Sequence, residues 1–370
     1  MRPLLVSARF VDSPGSGLGT YKLYAMAKKN NNSDANYVLP FEQQIVALQQ
    51  HVDELIEAQR RSGRDYSSEI RSLREDYISL LTKTYANLTA WETVQVARHP
   101  RRPLAGDYIE HIVKNFVELH GDRHFRDDRA IRCGLGSIGT EKVIIVAQHK
   151  GRDTRERLEC NFGMCHPEGY RKAMRMMKLA EKFSLPVVCM VDTPGAYPGV
   201  GSEERGVAQS IATSMMEMSR LTTPIVVAII GEGASGGAIG IGVGDRMGMM
   251  QYAWYSVISP EGCAAILWRT GEKAAEAAEA MQVTARNMKT HDLIDDIIPE
   301  PLGGAHRDPG EAAYNLERYF VNTLRQLKRI PIDQLLEERY KRWRRMGKVI
   351  EPDNIPQPAV GVPSTDETHR

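Results

Sequence analysis

The hydrophobic positions change rhythm along this chain. Ile45, Leu48, Val52, Leu55 and Ile56 recur at helical spacing, and so do Ile70, Leu73, Tyr77, Leu81 and Leu88. Gly63 lies in the polar break between the two sets, so the pattern predicts an antiparallel helix pair, with Ser67-Ser68-Glu69-Ile70 capping the second start. Ile109, Ile112, Val113, Phe116 and Leu119 predict a third helix over Asp107–His120, closed by Gly121. From about Arg129 the texture differs. Val143–Ala147, Val187–Val191 and Ile225–Ile230 are unbroken apolar runs, as in strands buried on both faces. Helical patterns over Glu168–Phe183 and Glu203–Arg220 separate them, and Pro186 and Pro224 sit just before two of the strands. Strand and helix in alternation predict an α/β core. Helices at Pro260–Trp268 and Glu272–Met281, a short strand within Leu293–Ile298, and a helical, increasingly basic stretch over Pro309–Met346 follow.

The ends lack this rhythm. Ser13-Pro14-Gly15-Ser16-Gly17 and Asn30-Asn31-Asn32-Ser33 predict a disordered extension over 1–36, with Met26 as an alternative start and a faint basic bias like that of a transit peptide. The polar, Pro-rich stretch 349–370 predicts a disordered tail. The expected division is therefore a helical region at 37–100, a core at 101–330 and a basic helix at 331–348.

Composition narrows the function classes. Lys plus Arg number 48 and Asp plus Glu 47, so no overall field draws the chain to nucleic acid or anionic lipid. No stretch approaches the roughly 18 unbroken apolar residues a membrane span needs. The five cysteines (133, 160, 165, 189 and 263) are odd in number and scattered. They suit a reducing compartment, the cytoplasm ahead of a plastid stroma, and core packing rather than disulfides or a zinc site.

The sharpest feature is the end of the third apolar run, Gly231-Glu232-Gly233-Ala234-Ser235-Gly236-Gly237-Ala238. A strand running through glycines into a helix exposes backbone N–H groups, and such a loop binds negative charge. Three readings compete. Gly231 to Gly236 satisfies the dinucleotide fingerprint, but Gln251-Tyr252-Ala253-Trp254 offers no carboxylate where a ribose would need one. Gly233-Ala234-Ser235-Gly236-Gly237 satisfies the nucleophile-elbow pattern, with Asp245 and His291 in the required order, although Ser235 falls five residues after the last apolar strand position. The third reading is an oxyanion hole, because Gly-x-x-x-x-Gly-Gly-Ala after an apolar strand resembles the crotonase superfamily loop. A matching loop, Asp192-Thr193-Pro194-Gly195-Ala196-Tyr197-Pro198-Gly199, ends the preceding unit. Its Asp-Thr-Pro-Gly imitates a GTPase motif, but no phosphate-cradling G-x-x-x-x-G-K-[ST] accompanies it.

Longer motifs are more specific. His149-Lys150-Gly151-Arg152-Asp153, Asn161-Phe162-Gly163-Met164, Pro167-Glu168-Gly169-Tyr170-Arg171-Lys172-Ala173, Glu203-Glu204-Arg205-Gly206, Tyr255-Ser256-Val257-Ile258-Ser259-Pro260-Glu261-Gly262-Cys263-Ala264 and Ile298-Pro299-Glu300-Pro301-Leu302-Gly303-Gly304-Ala305-His306-Arg307 accompany the two loops in order. Together, over about 40–310, they resemble the carboxyltransferase alpha subunit of multi-subunit acetyl-CoA carboxylase. The resemblance implies a crotonase-like α/β core of repeated ββα units. It implies carboxyl transfer from carboxybiotin on a biotin carboxyl carrier protein to acetyl-CoA, giving malonyl-CoA for fatty acid biosynthesis. It implies a zinc-ribbon beta subunit in an α2β2 assembly, biotin held on the carrier rather than here, no metal in this chain, and ATP used only by the biotin carboxylase component. Two rivals stand beside it: a noncatalytic scaffold that docks the carrier, and a crotonase-like acyl-CoA hydrolase or isomerase.

On this reading the negative charges of transfer meet backbone N–H groups, and no obligatory side-chain acid or base is needed. Gly236, Gly237 and Ala238 are the first candidates as oxyanion donors, and Gly195 and Ala196 the second. His149, Lys150, Arg152, Tyr197, Gly233 and Ser235 are candidates for substrate binding. Glu232 and Asp192 read as structural. The basic run Arg339-Tyr340-Lys341-Arg342-Trp343-Arg344-Arg345 reads as a solvated helix face.

Overall fold

The structure, a computed structural model, describes residues 37–347. The expected terminal extension and tail fall outside the described residues. Eight strands form one sheet: β1 (Val113–Glu118), β2 (Ile131–Ile138), β3 (Glu141–Gln148), β4 (Val187–Thr193), β5 (Ile225–Ala234), β6 (Arg246–Met250), β7 (Trp254–Ser256) and β8 (Asp296–Ile298). The order is β1-β2-β3-β4-β5-β6-β8, and β7 pairs with the far end of β5. The first three strands are antiparallel neighbours, and from β3 onward every pair is parallel. Parallel strands demand crossovers, and helices supply them.

The helices are α1 (Gln43–Ser62), α2 (Ser67–Ala86), α3 (Ala90–Ala97), α4 (Ala105–Ile112), α5 (Thr154–Glu159), α6 (Pro167–Lys182) and α7 (Val200–Glu204). They continue as α8 (Val207–Arg220), α9 (Ser235–Ile239), α10 (Pro260–Trp268), α11 (Ala274–Met281), α12 (Ala285–Thr290), α13 (Pro309–Leu327) and α14 (Ile332–Arg345). The three apolar runs are β3, β4 and β5, and all of β4 and β5 is buried, as strands covered on both faces require. A single large cluster holds these strands together with Tyr170, Met176 and Met177 of α6 and Leu316 and Phe320 of α13. Among the described residues no helix is long and apolar enough to cross a membrane.

Several expectations are corrected. The helix expected over Asp107–His120 stops at Ile112, and Val113–Glu118 is β1. The same apolar residues satisfy both periods, and pairing with β2 decides for strand, with Asn115 at φ 52° where the register shifts. The serines do not cap α2: its N-cap is Tyr66, which makes no side-chain cap bond, and the Asp65 carboxylate just before it accepts from the Ser67 N–H at 2.9 Å. Gly206 at φ 78° splits the expected 203–220 helix into α7 and α8, and Pro331 splits the C-terminal one into α13 and α14. The basic run is not simply a solvated face. Arg339 is buried, forks onto the Asp245 carboxylate at 2.7 and 2.8 Å, and donates to the carbonyls of Met218, Leu221 and Thr223.

Candidate active site

Because β3, β4 and β5 run parallel, their C-terminal ends and the loops that follow open at one edge of the sheet. Gln148, the last residue of β3, ties them together. Its side-chain amide donates to the Gly237 carbonyl at 2.7 Å, and its oxygen accepts from the Asp192 N–H at 3.1 Å. The loop after β4 is pinned by Thr193, whose hydroxyl lies 2.7 Å from the Gly163 carbonyl and accepts from the Gly195 N–H at 3.1 Å. Tyr197 donates its N–H to the Cys165 carbonyl and rests its ring 4.4 Å from that of His166.

The loop after β5 meets this one backbone to backbone. A Cβ at Gly237 would lie 2.4 Å from the Gly195 carbonyl carbon and 2.8 Å from the Ala196 nitrogen. Glycine at 237 is therefore needed for the two loops to touch. Helix α9 starts here, and Ala234 before it supplies no side-chain cap, so the first-turn amides of Gly236, Gly237 and Ala238 are left for another acceptor. Gly195 sits at φ 150°, a conformation side chains rarely adopt. Its own N–H is already given to Thr193, which leaves the α9 amides as the stronger donors of the two sets.

An ion network fixes the floor. The Lys150 ammonium lies 2.6 Å from Asp192 and 2.7 Å from Glu232, and Glu232 also takes Arg98 at 2.7 Å. Gly231 has no side chain because one would lie 2.5 Å from the Asp192 carboxylate, which accepts the Glu232 N–H. Burial works against the Glu232 charge, but Lys150 and Arg98 outweigh it and hold the carboxyl at about 2. Burial likewise opposes the Lys150 charge, and Asp192 and Glu232 raise its pKa. Arg102 forks onto buried Glu300 and donates to the Ile230 carbonyl, anchoring the segment between α3 and α4 under β5.

The structure brings Gly195, Ala196 and Gly237 into contact and pairs Lys150 with Asp192 and Glu232, one on each of the two strands that lead into these loops. Gly233, near the end of β5, pairs in register with Thr193 and with Tyr255. His149 and Arg152 turn elsewhere: His149 hydrogen-bonds Glu156 at 2.8 Å and Arg152 pairs with Asp107. Ser235 is exposed at φ 56°, directly after β5. Although Ser235 falls five residues after the last apolar strand position, β5 continues through the glycines to Ala234, so the serine does stand at the strand-to-helix turn. The turn is that of a nucleophile elbow, but the two residues expected to complete a triad lie elsewhere. Asp245 accepts from the Ile225 N–H at the opposite end of β5, ten residues or about 30 Å from Ser235, and His291 binds Gln282 at the surface.

Sequence reasoning missed Gln148, whose only signal is a polar residue closing an apolar run, and Arg98, which reaches Glu232 from 134 residues away. It also missed Glu42, His99 and His306, whose potential metal-ligand atoms lie within 4.8 Å of one another. Part of this set is already committed, while His306 Nδ1 has no hydrogen-bond partner among the described residues. Glu42 takes Arg307, the Tyr85 hydroxyl and the Leu39 N–H, and His99 Nδ1 accepts from the Arg101 N–H, which puts the neutral imidazole's proton on Nε2.

Sheet, crossover helices and two glycine-bearing loops that touch at one edge define an α/β protein with its candidate site at the C-terminal ends of the parallel strands. The family model described as acetyl co-enzyme A carboxylase carboxyltransferase-like matches residues 38–347. The acetyl-coenzyme A carboxylase carboxyl transferase subunit alpha of Rhodopirellula baltica is 50% identical over 313 residues, 85% of this chain and 98% of that protein. The protein of the same name from Coxiella burnetii is 51% identical over 310 residues, 84% of this chain and 98% of that one. The chain belongs to this carboxyltransferase alpha-subunit family. Among solved structures, transcarboxylase 12S is similar at a TM-score of 0.47 and 19% identity, over 60% of this chain and 42% of that one.

Proposed function

We propose that this chain is the alpha half of the acetyl-CoA carboxylase carboxyltransferase, acting in the cytoplasm within an α2β2 assembly. Biotin, carried on the biotin carboxyl carrier protein and charged by biotin carboxylase, supplies the carboxyl group that converts acetyl-CoA to malonyl-CoA. The observation that carries this reading is the uncapped start of α9 held against Gly195 and Ala196. The amides of Gly236, Gly237 and Ala238 would hold an oxygen that gains negative charge, and preorganised donors of this kind are worth about 10²–10³ in rate each. Gln148 and the network of Lys150, Asp192 and Glu232 keep the two loops in register. Lys150 spends its charge on two carboxylates, so it supports the floor rather than shuttling a proton. Tyr197 and Gly233 line the approach, and the beta subunit supplies most acyl-CoA contacts. The test is reconstitution: with the beta subunit, biotin and malonyl-CoA, the chain should support decarboxylation that neither subunit shows alone. Turnover by the beta subunit alone at the same rate would leave this chain a scaffold.

A further inference from the structure

A cleft of about 530 Å³ opens between α6 and α8, lined by five cations (Arg123, Arg171, Arg175, Lys178 and Arg205) and one carboxylate, Asp122. The ion pairs decide how much of that charge is free. Asp122 is buried. One of its oxygens serves the N–H groups of His124, Phe125 and Arg126, and the other accepts from Arg171 Nε at 2.8 Å. Glu168, buried under the cleft, takes Arg171 at 2.9 Å and Arg205 at 2.7 Å. Lys178 is answered by Glu181 and Glu217. Arg123 and Arg175 have no carboxylate at ion-pair distance among the described residues. Four guanidinium groups thus face two carboxylates, a surplus of two positive charges.

Of the two surplus charges, Arg123 is exposed and Arg175 is held in place. Arg175 donates to the Gly121 carbonyl at 3.1 Å and the His120 carbonyl at 2.9 Å, which fixes its plane. Arg171 also reaches the Arg205 carbonyl and the Ser210 hydroxyl. Burial and the like charge of Arg123 push the Arg175 pKa down, and the more distant Asp127 and Asp122 offset only part of that push. Guanidinium forks suit the oxygens of phosphate, and Thr213 and Gln209 add neutral donors on the α8 wall. The volume falls within the roughly 300–1,000 Å³ of small-molecule sites.

We propose that the cleft between α6 and α8 binds a phosphate-bearing small molecule of about nucleotide size. The bound phosphate sits on Arg123 and Arg175, with Arg171 and Arg205 completing the cradle. The site is separate from the glycine-loop edge but shares a wall with it. On α8, Ser214 donates to the Gly240 carbonyl at 2.6 Å, and Ile211 lies 3.3 Å from where a Gly236 side chain would begin.

The experiment is calorimetric titration of the full chain with inorganic pyrophosphate, ADP and adenosine at fixed ionic strength. Pyrophosphate and ADP should bind saturably, more weakly as salt rises, and adenosine should not bind. Arg123→Gln and Arg175→Gln should each weaken binding at least about tenfold, the loss expected for a hydrogen bond between charged groups. Lys142→Gln, an exposed change on β3, should leave binding unchanged. Arg175 also holds two carbonyls, so melting curves accompany each variant, and exposed Arg123 keeps the test decisive if the Arg175 variant unfolds. Competition by coenzyme A assigns the source: displacement of pyrophosphate marks the phosphate tail of an acyl-CoA, and its absence marks a free nucleotide. Non-saturable heats, or affinities unaltered in the folded Arg123 variant, would overturn the proposal.

Discussion

Gly237 is the position where the touching loops can be tested most sharply. In Gly237→Ala the new methyl would lie 2.4 Å from the Gly195 carbonyl carbon, 2.7 Å from its oxygen and 2.8 Å from the Ala196 nitrogen. All three are backbone atoms, so no side chain can swing aside. Carbon atoms rest about 3.5–4.0 Å apart, so the loops must part by about 1 Å. Overpacking of this kind costs about 1–3 kcal/mol of stability. A displacement of about 1 Å in a catalytic donor lowers rate about 10²-fold. Gly236→Ala is the control one residue away, where the methyl meets only the end of Ile211 at 3.3 Å. Both variants are assayed for decarboxylation after assembly with the beta subunit, alongside melting curves. We expect Gly237→Ala to lose about 10²-fold in kcat with little change in KM for malonyl-CoA, and Gly236→Ala to stay near wild type. Full activity in Gly237→Ala, with Gly236→Ala the damaged variant, would refute the assignment of the loop contact to catalysis.

Ser235→Ala should leave kcat essentially unchanged, whereas removing a true serine nucleophile costs about 10⁶-fold, so steady-state kinetics separate the two mechanisms. Arg339→Ala strands the buried Asp245 carboxylate and should cost about 3–5 kcal/mol in urea unfolding, while Arg339→Met with Asp245→Asn should recover part of it. Burial, then the neighbouring His99 and Arg307, push the His306 pKa down to about 2, so the fold keeps this imidazole neutral. The unfolded chain takes up that proton near pH 6.5, so the His306 contribution is complete above pH 6.5 and declines as pH falls. Between pH 6.5 and 5 that amounts to about 2 kcal/mol, and His306→Gln should flatten the wild-type slope by that amount in denaturant midpoints.

What the sequence made legible was whatever one segment determines alone. Three unbroken apolar runs identified β3, β4 and β5, and the glycines after two of them located the edge where the loops meet. Ordered motifs identified the family. Features that depend on distant segments stayed hidden. Val113–Glu118 carries helix-compatible spacing, and only β2 beside it selects strand. The end of β5 was misplaced because its last residues are glycine, glutamate and alanine, held in the sheet by β4 and β7. Gly237 was singled out in the sequence for its N–H, and nothing there showed that its missing side chain makes room for Gly195. Lys150 looked like a free cation until Asp192 and Glu232 closed on it. A charge in sequence says nothing of its partner when that partner lies tens of residues away.

The fork from Arg339 to Asp245 also bears on how the chain is made. The two residues are 94 positions apart, and Asp245 follows the three central strands while Arg339 lies in the last described helix. At about 5–20 residues per second, a ribosome takes roughly 5–20 s to get from one to the other. During that interval the nascent core has a carboxylate facing its interior and no cation to meet it. The central sheet therefore reaches its final form only after α14 has emerged and folded back beneath it, and a product truncated before Arg339 would enter the cell as a substrate for chaperones and proteases.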